Sequence, residues 1–275
     1  YPGLINAVTL LQLFTLANSS NVFTNLSDHK FIFLPVHIKL CNSLKLGLSK
    51  NLLVQHPNTL FAPSSSVPNI THKCIIFCFN NNRGDPVLIK VSVLSSGSSG
   101  NSIYIDDGKH SFLIDAGLSG KKIINRMKDI DADPENLDGI MITHEHKDHI
   151  KGVGILSRRL DIPIFANDGT WAACEGELGK LKDKHIKSFK GNFSFGDFEI
   201  KPINISHDAR APVADVVNKK NKKMVFATDM GYVNDELREE LDDIDLLLLE
   251  SNHDIDMLMS GSYPRFLKRR IRSDK

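Results

Sequence analysis

Two parts of the chain differ in how their hydrophobic and polar positions are ordered. Residues 1–90 mix short apolar runs with Asn, Ser, Pro and scattered His, and they keep neither a period of two nor one of 3.6. From residue 91 onward, short apolar runs end in polar clusters and alternate with amphipathic stretches. This alternation is typical of an α/β domain over residues 91–275. It leaves residues 1–90 as a poorly defined or disordered N-terminal extension.

The apolar positions predict the individual elements of this domain. The turn pair Asp107-Gly108 lies between two alternating runs and predicts a β-hairpin. The continuous apolar run of residues 244–249 predicts a buried central strand. Further strands are predicted over residues 91–94, 140–143, 163–166, 214–217 and 223–227, with two more within 193–205. Helices are predicted over residues 150–160, 169–178 and 234–241.

A cluster of metal-ligand residues follows the predicted strand of residues 140–143. His144, His146, Asp148 and His149 all fall within six positions there. In extended chain, His144 and His146 point to the same side because they are two residues apart. Asp148 and His149 come where the chain turns into the next helix, and they can face a second point. Imidazole and carboxylate groups bind Zn, Fe, Mn or Ni, so this spacing predicts a two-metal site.

This His-x-His-x-Asp-His arrangement resembles the signature of the metallo-β-lactamase-fold hydrolases, and the resemblance extends over roughly residues 91–275. Three further stretches are similar to the bacterial YycJ/WalJ (VicX) branch of that family: residues 94–102, 112–117 and 250–254. The resemblance implies an αββα four-layer sandwich and a metal-dependent nuclease that acts on DNA. It also implies two divalent ions, Zn or Mn, as cofactors.

The same resemblance assigns the remaining ligands. His207, which follows a predicted strand, would complete the first metal site that the two earlier histidines begin. Asp229 would bridge both ions with its two carboxylate oxygens. Asp148 and His149 would hold the second ion and are the predicted catalytic residues. A water between two such ions loses a proton near neutral pH and becomes the nucleophile for phosphodiester hydrolysis.

One further ligand of the family has no counterpart in the sequence. Members of the family normally carry a final His in a Gly-His turn after the last helix, and the chain ends at Lys275 before such a turn. We therefore expect a C-terminally truncated domain. His253 is the candidate that could contribute to the second metal site in place of this residue.

A Ser/Gly-rich loop at residues 95–102 has two interpretations. Its small residues would let backbone amides approach a ligand closely, whereas a plain β-turn fits the sequence equally well. The family resemblance favours a loop beside the active site, with Ser95, Ser98 and Asn101 as substrate-binding residues. Asp115 has a similar ambiguity, because it could orient a metal-ligating His or be an ordinary turn residue.

Charge, cysteine content and hydropathy bear on the possible partners and on the cellular compartment of the protein. The 34 basic and 33 acidic side chains give a net charge of +1, and such a balance neither predicts nor excludes nucleic acid, because clustering matters more than the sum. The four cysteines form no recognisable disulfide or zinc framework, which favours a reducing, cytoplasmic setting. No apolar run is long enough to cross a bilayer, so no membrane partner is expected.

Two other functions remain open from the sequence. A hydrolase of the same fold that cleaves a small ester or a thioester would use the same ligands, because fold and metal ligands do not fix the substrate. A catalytically impaired, truncated fragment is the other alternative, since the final His is absent and residues 1–90 have no assigned role.

Overall fold

The computed structural model describes residues 30–35, 76–77, 89–251, 259–261 and 264–271. Within them the strands are β1 Lys30–Pro35, β2 Ile76–Phe77, β3 Lys90–Ser95, β4 Ser102–Asp106, β5 Ser111–Ile114, β6 Gly139–Met141, β7 Ile164–Asn167, β8 Ile186–Phe189, β9 Phe193–Phe195, β10 Phe198–Asn204, β11 Val213–Lys219, β12 Lys222–Ala227 and β13 Leu246–Ser251. The α-helices are α1 Gly120–Lys128, α2 Lys147–Ile150, α3 Val153–Leu160, α4 Asp168–Ala173, α5 Asp235–Glu240 and α6 Arg265–Ile271. Short 3-10 helices lie at Pro134–Asn136 and Asp183–His185.

The first sheet has seven strands in the order β2-β3-β4-β5-β6-β7-β8. Strands β3, β4 and β5 are antiparallel neighbours, whereas β5, β6 and β7 run parallel. One face of this sheet packs on the apolar sides of α1 and α3, in a cluster that includes Leu113, Ile123, Ile140 and Leu156. Because parallel strands end at the same edge of a sheet, the residues that follow β5 and β6 come close together.

The second sheet has six strands in the order β1-β13-β12-β11-β10-β9. Strands β9 to β12 form an antiparallel meander, and β13 lies parallel to β12. Strand β1 adds a parallel edge, with Lys30 opposite Leu246. Leu237 of α5 packs on the cluster of buried residues that contains Val225 and Leu247. Residues 30–35 therefore supply a strand to this sheet although they lie before the predicted start of the domain.

By their contacts, the described residues fall into two compact units. One contains residues 76–77 and 89–188 with most of the seven-stranded sheet. The other contains residues 30–35, 189–251, 259–261 and 264–271 with the six-stranded sheet. The predicted α/β class is confirmed, since both sheets carry helices. The boundary between residues 90 and 91 remains a prediction. Across the residues with described structure, no helix combines the length and hydrophobicity that crossing a membrane requires.

Candidate metal centre

The predicted ligand cluster follows the central parallel strand of the first sheet. Strand β6 is buried along its whole length, and the Ile142 N–H still bonds to the Phe165 carbonyl at 2.9 Å. The chain then leaves the sheet and enters α2 at Lys147. His144 and His149 are fully buried, whereas His146 and Asp148 are half-buried. The structure therefore gathers the side chains of this segment at the carboxyl end of β6.

His144 and His146 face each other through their ring nitrogens. Nε2 of His144 lies 3.2 Å from Nδ1 of His146, and the rings meet edge-on with centroids 4.7 Å apart. Two nitrogens that each lie 2.0–2.1 Å from a tetrahedral ion are about 3.3 Å apart. The observed separation therefore fits two ligands of one ion, and it agrees with the prediction that both rings point to the same side.

Asp115 orients this cluster from the end of β5. Its Oδ1 accepts the Thr143 backbone N–H at 2.9 Å, and its Oδ2 accepts the Thr143 hydroxyl at 2.8 Å and Nδ1 of His149 at 2.7 Å. A carboxylate can only accept hydrogen bonds, so the proton of the His149 ring lies on Nδ1. Nε2 of His149 keeps its lone pair. Of the two interpretations of Asp115, the structure supports the orienting residue.

Thr143 determines in the same way which ring nitrogen of His144 carries the hydrogen. Its only hydroxyl proton is donated to Asp115, so its oxygen accepts the hydrogen of His144 Nδ1, which lies 3.0 Å away. The lone pair of His144 is then on Nε2, the nitrogen that faces His146. Thr143 is 3% exposed and was not singled out in the sequence. The hydroxyl and the carboxylate together fix the tautomers of two predicted ligands.

Asp148 is held by the backbone around it. Its carbonyl oxygen accepts the Asn101 N–H at 2.7 Å, and a Cβ on Gly117 would lie 1.6 Å from that oxygen. Only glycine allows this approach. Oδ2 of Asp148 lies 3.9 Å from Nε2 of His149. Two ligand atoms that are each about 2.1 Å from one tetrahedral ion are about 3.4 Å apart, so Asp148 and His149 lie close together but wider apart than two ligands of such an ion.

The Ser/Gly-rich loop lies against His149. Residues 97–100 form a turn closed by a bond from the Gly100 N–H to the Gly97 carbonyl at 2.8 Å. Ser95 is half-buried and Ser98 is exposed, whereas Asn101 is 5% exposed. The Asn101 side chain accepts the Gly97 N–H at 2.7 Å and approaches Nε2 of His149 to 3.0 Å. The loop is thus both a turn and a neighbour of the predicted ligands.

His207 and Asp229 belong to the second unit. They follow β10 and β12, which run in the same direction because each is antiparallel to β11. The Gly231 N–H bonds to the Ser206 carbonyl at 2.7 Å, so the loops after these two strands meet. His207 is half-buried, with Nε2 3.5 Å from Oδ1 of Asp208. Asp229 has a left-handed backbone with φ 49°. His253 lies outside the described residues.

A profile of the beta-lactamase superfamily domain matches residues 110–267, more than half of the chain, and the chain therefore belongs to this superfamily. It is 47% identical over 189 residues to the exodeoxyribonuclease WalJ of Streptococcus pneumoniae serotype 2 (strain D39 / NCTC 7466), covering 67% of this chain and 70% of that protein. It is 42% identical over 185 residues to the exodeoxyribonuclease YycJ of Bacillus anthracis, covering 66% and 70%. The predicted metallo-β-lactamase fold and the WalJ/YycJ branch are confirmed.

Among solved structures, the metallo-beta-lactamase fold protein YhfI from Bacillus subtilis is similar to the chain with a TM-score of 0.49 and 21% identity. The similarity covers 58% of this chain and 69% of that protein. The fold implies divalent metal binding, and the donor chemistry of the described His and Asp side chains fits it.

Proposed function

We propose that the chain is a metal-dependent phosphodiesterase that acts as a DNA exonuclease. Its similarity to proteins named exodeoxyribonuclease, at 47% and 42% identity, supports DNA as the substrate. A cytoplasmic location belongs to the same proposal, and so does the absence of a membrane partner. The geometric support for metal-dependent hydrolysis is the 3.2 Å separation of the His144 and His146 nitrogens, with the His144 lone pair oriented through Thr143 and Asp115.

The proposed centre contains two divalent ions, Zn or Mn. His144 and His146 would hold the first ion together with His207, and Asp148 and His149 would hold the second. Asp229 would bridge the two ions. The position of each donor after the carboxyl end of a strand supports this assignment, because α/β folds place their chemistry there. His253 remains a proposed additional ligand.

Each group of the chain has a separate task in this proposal. Bound ions would supply Lewis-acid chemistry, activating water and neutralising charge on the scissile phosphate. Asp115 and Thr143 keep the rings of His144 and His149 in the tautomer that presents Nε2. The exposed hydroxyl of Ser98 and the half-buried hydroxyl of Ser95 are proposed to donate hydrogen bonds to DNA phosphate oxygens. Asp148 and His149, as ligands next to the reacting water, are the proposed catalytic residues.

The first test is the metal content of the purified protein. Protein prepared with Zn or Mn is analysed by elemental mass spectrometry, and we expect two ions per chain. His144→Ala should lose the first ion, because one of its oriented nitrogens is removed. Asn125→Ala is the control, since Asn125 is exposed on α1 and is not a proposed ligand. Wild-type protein without bound metal would contradict the proposal.

The second test is the substrate. End-labelled linear DNA and a covalently closed circle are incubated with the metal-loaded protein, and a thioester is assayed in parallel. We expect stepwise loss of nucleotides from the linear DNA only, with His144→Ala inactive and Asn125→Ala active. Cleavage of the thioester without cleavage of DNA would support the alternative small-ester hydrolase. Two bound ions without any hydrolysis would support the catalytically impaired fragment.

A further inference from the structure

The buried ring of His149 has a hydrogen-bonding partner at each of its nitrogens. Nδ1 is bonded to Oδ2 of Asp115 at 2.7 Å, and Nε2 lies 3.0 Å from Nδ2 of Asn101. The ring is 0% exposed. A buried nitrogen lone pair without a donor costs free energy, and the Asn101 amide supplies that donor.

The orientation of the Asn101 amide follows from its other contact. Its Oδ1 lies 2.7 Å from the backbone nitrogen of Gly97, and that N–H can only donate. The opposite side of the amide, facing His149, is therefore the NH₂ group. The backbone of Asn101 is fixed as well, because its N–H bonds to the Asp148 carbonyl at 2.7 Å and its carbonyl accepts the Gly117 N–H at 2.8 Å. A buried, doubly anchored residue thus points a donor at Nε2.

We propose that Asn101 is a positioning residue that caps Nε2 of His149 in the metal-free protein and has to release it before the second ion binds. This inference rests on the proposed function, in which the same lone pair is a ligand of the second ion. One lone pair cannot accept a hydrogen bond and bind an ion at the same time. The cap keeps the ring oriented in the metal-free protein, and it weakens binding at the second position relative to an uncapped ring.

The expected size of this effect follows from the single hydrogen bond that is lost. A neutral hydrogen bond contributes a net two- to tenfold, roughly, to an equilibrium constant. Asn101→Ala should therefore tighten the second binding step by about two- to tenfold. The first step, at His144 and His146, should be unchanged, because no atom of Asn101 is bonded to either ring in the contacts described above.

The experiment combines a metal titration with a measurement on the metal-free protein. Stepwise Mn²⁺ binding is measured by isothermal titration calorimetry and native mass spectrometry for wild type, Asn101→Ala, Asn101→Asp and Ser98→Ala. Asn101→Asp retains an oxygen for the Gly97 N–H but removes the donor to His149, and exposed Ser98 is the loop control. Long-range ¹⁵N–¹H spectra of the imidazole nitrogens are recorded without metal, with thermal unfolding as the check on folding.

We expect the Nε2 resonance of His149 to move in both Asn101 variants and not in Ser98→Ala. We also expect a smaller dissociation constant for the second Mn²⁺ ion in Asn101→Ala. If the Nε2 resonance of His149 does not move in either Asn101 variant, the hydrogen bond from Asn101 to Nε2 is overturned. If wild type and Asn101→Ala both bind two ions with the same dissociation constant for the second, the effect of Asn101 on metal binding is overturned. The proposed function would remain intact. A wild-type protein that binds no ion would overturn the proposed function, and with it the metal-binding half of this inference.

Discussion

Asp115 links segments that are distant in the sequence. Its carboxylate is bonded to residues 28 and 34 positions further along the chain, Thr143 and His149. It is 2% exposed and has no lysine or arginine among the partners described above. Its negative charge is therefore stabilised by the hydrogen bonds that orient the predicted ligands. A substitution at Asp115 should thus mainly change the affinity for metal.

Replacing Asp115 by Asn should weaken metal binding by about 10- to 100-fold, the usual cost of losing a residue that orients a ligand. The amide retains the shape of the carboxylate but cannot accept from both Thr143 and His149 as a charged group does. The dissociation constant for Mn²⁺, measured by calorimetry, checks this. Asp138→Asn is the control, because it removes a carboxylate that accepts the Ser111 N–H at the opposite end of β5. Equal losses in both variants would contradict the assigned role.

Between secondary-structure elements, an ion-pair network attaches helix α5 to the six-stranded sheet. Glu240 accepts from Lys201 of β10 at 2.7 Å and from Lys223 of β12 at 2.8 Å. The hydrogen bond from Lys201, followed by that from Lys223, lowers the pKa of Glu240. The same bond raises the pKa of Lys201. The helix is therefore attached to two strands by one carboxylate.

Glu240→Gln should lower the free energy of unfolding by about 0.5–1 kcal/mol at neutral pH. Because the folded-state pKa of Glu240 is lowered, its contribution is complete above the unfolded value of about 4.3 and disappears as the pH falls through the folded value. Urea unfolding of metal-free protein between pH 7 and pH 3 measures this difference. Exposed Glu239→Gln is the control. A difference that persists unchanged at pH 3 would contradict the assignment.

The local pattern of apolar and polar residues predicted most of the helices and strands. Contacts between residues distant in the sequence explain the exceptions. The predicted helix over residues 150–160 begins only at Val153, as α3, because the Gly152 N–H bonds to the Ala116 carbonyl at 2.7 Å. The short helix α2 precedes it and was not predicted. Strand β8 was not predicted. It is the last strand of its sheet, and three of its four residues are exposed, so its sequence carries no period of two.

The same distinction holds for the candidate site. The spacing of His144, His146, Asp148 and His149 is local, and their convergence after β6 followed from the sequence. The contact between Asn101 and His149 joins residues 48 positions apart, which no local spacing can indicate. His207 and Asp229 were assigned by family resemblance, and they follow strands that run in the same direction. Their role as ligands stays a prediction.

For the whole molecule, the proposed centre predicts that thermal stability depends on bound metal. The only tryptophan, Trp171, belongs to the first unit, where its Nε1 donates to the Lys187 carbonyl at 3.1 Å. Its fluorescence therefore reports the unfolding of that unit, whereas far-ultraviolet circular dichroism reports both.

Removing the metal with a chelator should lower the melting temperature by about 5–10 °C per ion, for an ion held at about 100 times its dissociation constant. The transitions of Trp171 fluorescence and of circular dichroism are both recorded. The fluorescence transition should shift, because His144, His146, Asp148 and His149 belong to the same unit as Trp171. His144→Ala, with one ion fewer, should show a smaller shift. A fluorescence transition that the chelator leaves unchanged would contradict the prediction.

The left-handed backbone of four aspartates between secondary-structure elements has a consequence for engineering. Asp115, Asp131, Asp229 and Asp243 all have φ between 49° and 59°, a region that costs a non-glycine residue free energy and that glycine adopts freely. At Asp131 and Asp243, glycine would relieve this cost without touching a proposed ligand. At Asp115 and Asp229 the same exchange would delete the carboxylates of the site. Selection for thermostability alone would thus favour glycine at Asp131 and Asp243. At Asp115 it would not, because the buried donors of Thr143 and His149 would lose their acceptor.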